Sequence, residues 1–220
     1  MHFSFKSQFP ILVALCGAIA GCASTQPVAY GGLASSPQLR PNVGDSSGRM
    51  PYNYSTQVNL RDYSSIIIDP VTVYSGPDGQ FEEVSDEEKT MLAAYMQSEF
   101  ETRLRGRFRI SREAGWNTLR LKLTLTGAKS STRFLSTASR FDLAGGPYNI
   151  VQSIRGKEGA FTGSVSYAVE LYDASTNLLV SAYVTKQYPS PMNIPASLGK
   201  MDASKAGIRN GADALLAQFN

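Results

Sequence analysis

Histidine is almost missing from this chain of 220 residues: His2 is the only one, and cysteine occurs only at positions 16 and 22. Imidazole is the usual general base near neutral pH and the commonest metal ligand. Without it in the body of the chain, Ser-His-Asp and Cys-His catalysis and histidine-held zinc or iron centres are excluded. Long apolar runs are missing as well. The run Ile11 to Ala20 (ILVALCGAIA) is ten residues, about half of the ~20 that a helix needs to cross a bilayer. A large excess of charge is also absent: 21 basic residues stand against 18 acidic ones, a formal +3. Such a balance gives no footing for nucleic acid binding.

What is present at the N-terminus reads as a secretory signal. Lys6 supplies a positive charge, no acidic residue precedes Asp45, and residues 11–20 form the apolar core. Ile19-Ala20-Gly21-Cys22 then places a cysteine directly after small residues, the shape of a bacterial lipobox. Cys22 is expected to be lipidated on sulfur and to become the first residue after cleavage. Cys16 is the poorer site, because the bulky Leu15 precedes it. Ala23 stands where an Asp would tend to retain a lipoprotein of enteric bacteria in the inner membrane. The expected location is therefore the outer membrane, on its periplasmic face. Cleavage takes His2 and Cys16 away with residues 1–21. The remaining sulfur becomes a thioether, so neither a disulfide nor a free thiol nucleophile is available.

Three parts follow: a signal over 1–21, the lipidated Cys22 with a flexible tether over 22–60, and a single domain over 61–220. Residues 23–60 are rich in Ser, Gly, Pro, Gln and Asn and show no sustained apolar period, with Tyr30, Leu33 and Leu39 as isolated points able to dock on the domain. Ser64 to Tyr74 reads as a buried β-branched strand, weakened or ended at Pro70, which has no N–H for the ladder. Ser75-Gly76-Pro77-Asp78-Gly79 is a turn cluster. Ser85 and Glu88 have the spacing of a capping box, and Leu92, Met96, Phe100 and Leu104 recur as one helix face, ended near Gly106.

Phe108 and Ile110 mark a short strand; Leu119, Leu121, Leu123 and Leu125 alternate with Arg120, Lys122, Thr124 and Thr126 in a clear one. Val165, Tyr167, Val169 and Leu171 alternate again, a turn spans 173–177, and Leu178 to Gln187 returns as a fifth strand. Ile208, Ala212, Leu215 and Phe219 share one side of a last helix, which Gly207 and Gly211 make weak on its own. The fold implied is α+β: a two-layer sandwich with a mostly antiparallel sheet of about five strands and two amphipathic helices on one face.

Two stretches carry a family likeness. They are Tyr30-Gly31-Gly32-Leu33 with Leu39-Arg40-Pro41, and Asp62-Tyr63-Ser64 running into Ile68-Asp69-Pro70-Val71-Thr72-Val73-Tyr74. The strand Gly163 to Asp173 with its turn into Leu178 fits as well. Together they resemble the bacterial lipoprotein family catalogued as domain of unknown function 3313. The resemblance implies an envelope location and this kind of fold, and implies no reaction.

Motif matches elsewhere read as ordinary structure. Gly44-Asp45-Ser46-Ser47-Gly48 has the form G-x-S-x-G but lies in polar sequence without a histidine partner. Ser197-Leu198-Gly199-Lys200 has the form S-x-x-K without a K-T-G partner. Glu82, Glu83, Asp86, Glu87 and Glu88 suit a solvated helix N-terminus and lack the spacing of a calcium loop. No metal or cofactor is expected.

Two features point to contact instead. Arg107, Arg109, Arg120 and Lys122 would form a basic stripe if the second and third strands paired as a hairpin. Residues 128–160 are long for a connection. They carry Phe134, Leu135, Phe141 and Leu143 before Gly145-Gly146-Pro147, then Ile150, Val151 and Ile154 at helical spacing. Phe134, Phe141, Leu143, Ile150 and Ile154 are the candidates for touching a partner or membrane. The expectation is a non-enzymatic, outer-membrane-anchored accessory or scaffold lipoprotein with an envelope protein partner; the alternative is a lipid- or glycan-binding module in envelope transport.

Overall fold

The structure, a computed structural model, describes residues 25–131, 163–190 and 199–220. Among these, β1 spans Arg40–Pro41, β2 Tyr52–Ser55, β3 Ser65–Ile68, β4 Thr72–Val73 and β5 Gln80–Glu82. Helix α1 is Asp86–Leu104, followed by β6 Arg109–Ile110, β7 Thr118–Lys129, β8 Ser164–Asp173, β9 Leu179–Gln187 and helix α2 Asp202–Ala217. The α+β class is as the periodicities imply. The sheet is not: it is mixed and has nine strands rather than about five antiparallel ones.

The difference has two physical sources. First, β3, β4 and β5 run parallel to β7 and lie in succession along one of its edges. A parallel neighbour needs a crossover connection, and α1 supplies it. The expected single strand from Ser64 to Tyr74 is divided where Pro70 interrupts the ladder, between Ile68 opposite Leu121 and Thr72 opposite Thr124. Secondly, the expected tether contributes β1 and β2, and β2 pairs antiparallel with β9 from Tyr52–Val184 to Ser55–Ser181.

The helices grow from the signals the sequence carries. Ser85 accepts from the Glu88 backbone N–H at 3.3 Å while the Glu88 carboxylate accepts from the Ser85 N–H at 2.9 Å, a complete capping box. Leu92, Met96, Phe100 and Leu104 are fully buried. The helix ends at Leu104, whose carbonyl takes the N–H groups of both Arg107 and Phe108. Helix α2 buries Ile208, Ala212 and Leu215, and Phe219 beyond it meets the Phe108 ring edge-on at 4.7 Å.

Both helices cover one face of the sheet, and Leu119, Leu121, Leu123, Leu125, Val165, Tyr167, Val169 and Leu171 complete that core. Gly211 lets α2 descend onto it: a Cβ there would land on the Tyr167 hydroxyl.

The second face is not left to solvent. Instead, residues 27–39 lie across β8 and β9 as a strap, and Tyr30, Leu33 and Leu39 form a second apolar cluster with Ala168, Ala182 and Val184. The polar positions of β8 are consequently buried, Ser164, Ser166 and Glu170 among them. The flexible tether expected over 22–60 is corrected accordingly for its described part, residues 25–60. Its scattered apolar residues make no period because the strap is neither helix nor strand.

Candidate functional site

The strap meets the sheet around Tyr74. Its hydroxyl donates to Asp78 Oδ1 at 2.7 Å and accepts from the Gly32 N–H at 2.9 Å, while Asp78 Oδ2 accepts from the Gly31 N–H at 3.0 Å. The hydrogen bond to Asp78 holds the Tyr74 hydroxyl above its ordinary pKa, and the same bond holds the Asp78 carboxyl below its own. Gly76 makes room for this tyrosine, since a Cβ at position 76 would collide with its ring. Tyr30 stacks edge-on against Tyr74 at 5.3 Å and donates to Gln80 at 2.8 Å. Burial pushes the Tyr30 hydroxyl up to about 12. Tyr30 itself sits at φ 45°, a left-handed conformation uncommon for a bulky residue. The burial, the stacking and the hydrogen bond to Gln80 together hold it there.

Beside this junction lies a cleft of about 350 Å³, bounded by Gly32–Ala34 of the strap and by Thr72–Gly76, with Thr124 and Glu170 also lining it. Glu170 is only 4 % exposed. Its Oε1 accepts from the Ser35 N–H at 2.7 Å and from the Tyr172 hydroxyl at 3.4 Å. Thr72 and Thr124 share a hydroxyl–hydroxyl hydrogen bond at 3.2 Å. The cleft thus brings hydroxyl-bearing residues and the apolar Leu33, Ala34 and Val73 together beside one buried carboxylate.

The basic stripe does not form as a hairpin. β6 pairs with β3 and not with β7, so β3 lies between them. Each cation has its own local contact. Arg107 donates to the carbonyls of Arg61 (3.0 Å) and Phe219 (3.5 Å), and Arg109 to the Ser65 hydroxyl at 3.3 Å. Arg120 pairs with Asp69 at 3.2 Å, and the Lys122 ammonium sits 4.9 Å from the Tyr172 ring centroid. The hairpin that was to build the stripe is thus absent, and each of the four cations has a neighbour of its own.

The acidic group at the head of α1 is likewise engaged: Glu82 with Lys129, Asp86 with Lys89 and Glu88 with Lys200, at 2.8–3.1 Å. Burial raises the Glu82 carboxyl, but the hydrogen bond and charge of Lys129, the Thr25 hydroxyl and the charge of Lys186 together leave the pKa below its ordinary value. Among the described residues no group of three or more His, Cys, Asp or Glu could hold a metal ion. Cys22 and the contact candidates Phe134, Phe141, Leu143, Ile150 and Ile154 lie outside the described residues.

A family described as "Protein of unknown function (DUF3313)" matches residues 29–215. The chain belongs to that family. No curated protein matches it. Among solved structures it is similar to PelC from Paraburkholderia phytofirmans, a dodecamer, at 12 % identity and TM-score 0.37 over 72 % of this chain and 92 % of that one. It is also similar to a DUF4136 family protein from Bacteroides thetaiotaomicron VPI-5482, at 13 % identity and TM-score 0.36 over 77 % and 96 % of the two chains. A DUF330 protein from Xanthomonas campestris stands at 8 % and 0.36, over 74 % and 87 %. The family match begins at Ala29, inside the strap, so the strap is part of the family's domain.

The residues that carry the family likeness converge here. Tyr30-Gly31-Gly32-Leu33 and the Asp69-to-Tyr74 segment are far apart in sequence and meet at the Tyr74 junction. Glu170 appears in sequence as one polar position of an alternating strand. Only the strap's path over β8 turns it into a buried carboxylate, and the docking of Tyr30 and Leu33 was the available hint.

Proposed function

We propose that this protein is a non-enzymatic accessory lipoprotein, anchored through Cys22 in the outer membrane and holding its domain close to the periplasmic face of that membrane. One observation carries the reading: the chain is fixed to the sheet almost immediately after the anchor. The Thr25 hydroxyl donates to Glu82 at 3.1 Å, and its carbonyl accepts from Lys186 at 2.9 Å. Pro27 is already buried. Three peptide units separate Cys22 from Thr25, a reach of roughly 10 Å.

A leash so short orients the domain. Thr25 meets Glu82 and Lys186, at the end of the sheet where Glu82 pairs with Lys129, the last residue of β7. The opposite end displays Trp116, 93 % exposed, together with Val58 and Leu178. Those three belong to one end, because Ala174 donates to the Thr118 carbonyl and Thr56 to that of Val180. At ~3.3 Å per residue, the 12 residues of β7 separate the two ends by roughly 35 Å. A protein partner in the envelope would be met at that distal end. No helix among the described residues is long and apolar enough to cross a membrane; in this reading the attachment is the lipid on Cys22. The lack of histidine beyond His2 supports a role other than catalysis.

The test is photo-crosslinking in living cells from positions 58, 116 and 178, and from 141, 150 and 154, with Cys22→Ala as the untethered control. The reading expects one protein captured from the distal end only when the anchor is intact. Equal capture by the Cys22→Ala protein, or its retention in the outer membrane, would contradict it.

A further inference from the structure

Glu170 has more charge than its partners use. An ionised carboxylate has about four acceptor positions, and a buried charge is costly unless it is paired. Among the described residues both partners, the Ser35 N–H and the Tyr172 hydroxyl, fall on Oε1, and Oε2 has none. A glutamine would accept from Ser35 through the same oxygen without burying a charge. Lys122 stands directly across from Glu170 in the β7–β8 ladder, yet its ammonium lies over the Tyr172 ring and makes no ion pair with the carboxylate. Glu170 also lines the cleft of about 350 Å³, together with Thr72, Tyr74 and Thr124. That volume is within the range of small-ligand sites, roughly 300–1,000 Å³.

We propose that this cleft binds a primary ammonium group, with Glu170 Oε2 as its counter-charge. The surroundings offer acceptors: the carboxylate and the Thr72 and Thr124 hydroxyl oxygens. An ammonium brings three N–H donors and no acceptor, which complements them. A guanidinium prefers a carboxylate with both oxygens free, and here Oε1 is occupied by Ser35. Leu33 and Val73 offer apolar wall for a short carbon chain beside the amine. The ammonium can belong to a free amine or to the headgroup of an aminophospholipid; the recognition is the same. The site is independent of the anchor, so it can fail while the anchoring reading holds, and the reverse.

The Ser35 amide is a built-in reporter, because its hydrogen bond ends on Glu170. The experiment titrates the ¹⁵N-labelled full chain carrying Cys22→Ala with ethanolamine, and in parallel with ethylene glycol, its neutral counterpart. The proposal expects a saturable shift of the Ser35 resonance with ethanolamine alone, weakened at least about tenfold in Glu170→Gln. Glu170→Gln keeps the acceptor for Ser35, so its folded spectrum separates lost binding from lost structure. Vesicles of phosphatidylethanolamine and of phosphatidylcholine form the second arm. A Ser35 shift with the former and not the latter, without one from free ethanolamine, supports the site and assigns the amine to lipid. A Ser35 resonance that moves with neither amine source, or equally with ethylene glycol or in Glu170→Gln, overturns the proposal.

Discussion

The two faces of this sheet are closed in opposite ways. One is covered by two helices, with leucines of β7 and alternate residues of β8 buried against them. The other is covered by an irregular strap, fastened by side-chain to backbone hydrogen bonds at Gly31, Gly32 and Ser35 and by a tyrosine pair. The first closure is driven by apolar area, which is non-directional and roughly proportional to surface removed from water. The second relies on a few directional contacts and leaves a cleft with a buried carboxylate beside it. The helical face therefore holds the fold together, and the strapped face is where chemistry is left available.

Substitutions on the two faces should differ in size and reach. The largest effect is expected on the helical face, at Phe100, which is fully buried and edge-on to Tyr167 at 5.9 Å. Phe100→Ala should cost about 3–5 kcal/mol of global stability in denaturant unfolding. Gly211→Ala comes next, at about 1–3 kcal/mol, since the added methyl meets the Tyr167 hydroxyl. Tyr167→Phe removes that oxygen, which is buried without a hydrogen-bond partner among the described residues. It should recover much of the Gly211→Ala loss, and a double-mutant cycle measures the coupling.

On the strapped face the expected response is local. Tyr74→Phe loses the hydroxyl shared by Asp78 and Gly32, worth about 1 kcal/mol. It should speed proteolysis or hydrogen exchange within residues 27–39 well before the sheet itself opens.

A pH-dependent effect arises at the β8–β9 turn. The Ser175 hydroxyl bond, aided by the Thr176 N–H and hydroxyl and by the Tyr63 hydroxyl, outweighs desolvation and lowers the Asp173 pKa from 3.8 to about 2. Because the folded value is the lower one, this stabilisation is present above pH 3.8 and is lost as the pH falls toward about 2. Asp173→Asn should flatten the stability profile across that window. The smallest effect belongs to Trp116→Ala. A side chain this exposed should leave stability within about 0.5 kcal/mol, while any partner at the distal end would lose affinity. Trp116 is the only tryptophan, so its fluorescence reports such binding without a label.

The helical face was the legible one. Capping at Ser85, the four-residue recurrence in α1 and the leucine alternation in β7 are local patterns, and local patterns survive folding because each element has its own period. The division of the strand at Pro70 was equally local. The strapped face was not legible, since Tyr30, Leu33 and Leu39 make contact only through the long-range path of the strap. The parallel placing of β3, β4 and β5 depends on how α1 returns the chain, and β6 separates from β7 for the same reason. The expected hairpin behind the basic stripe failed there: alternation sets Arg120 and Lys122 on one side of the strand and could not show that β3 would come between β6 and β7. Glu170 gave no signal of its own, as a polar residue on an alternating strand reads as solvent-facing until something covers it.

Residues 27–39 form a strap on the sheet and not a free tether. Residue-resolved amide hydrogen exchange tests this most directly, at Gly31, Gly32 and Ser35, whose N–H groups end on Asp78, Tyr74 and Glu170. Protection is expected at all three, strongest at Ser35, which is buried with its acceptor. Exchange at the rate of an unstructured chain at these amides, with β8 and β9 still protected, would contradict it.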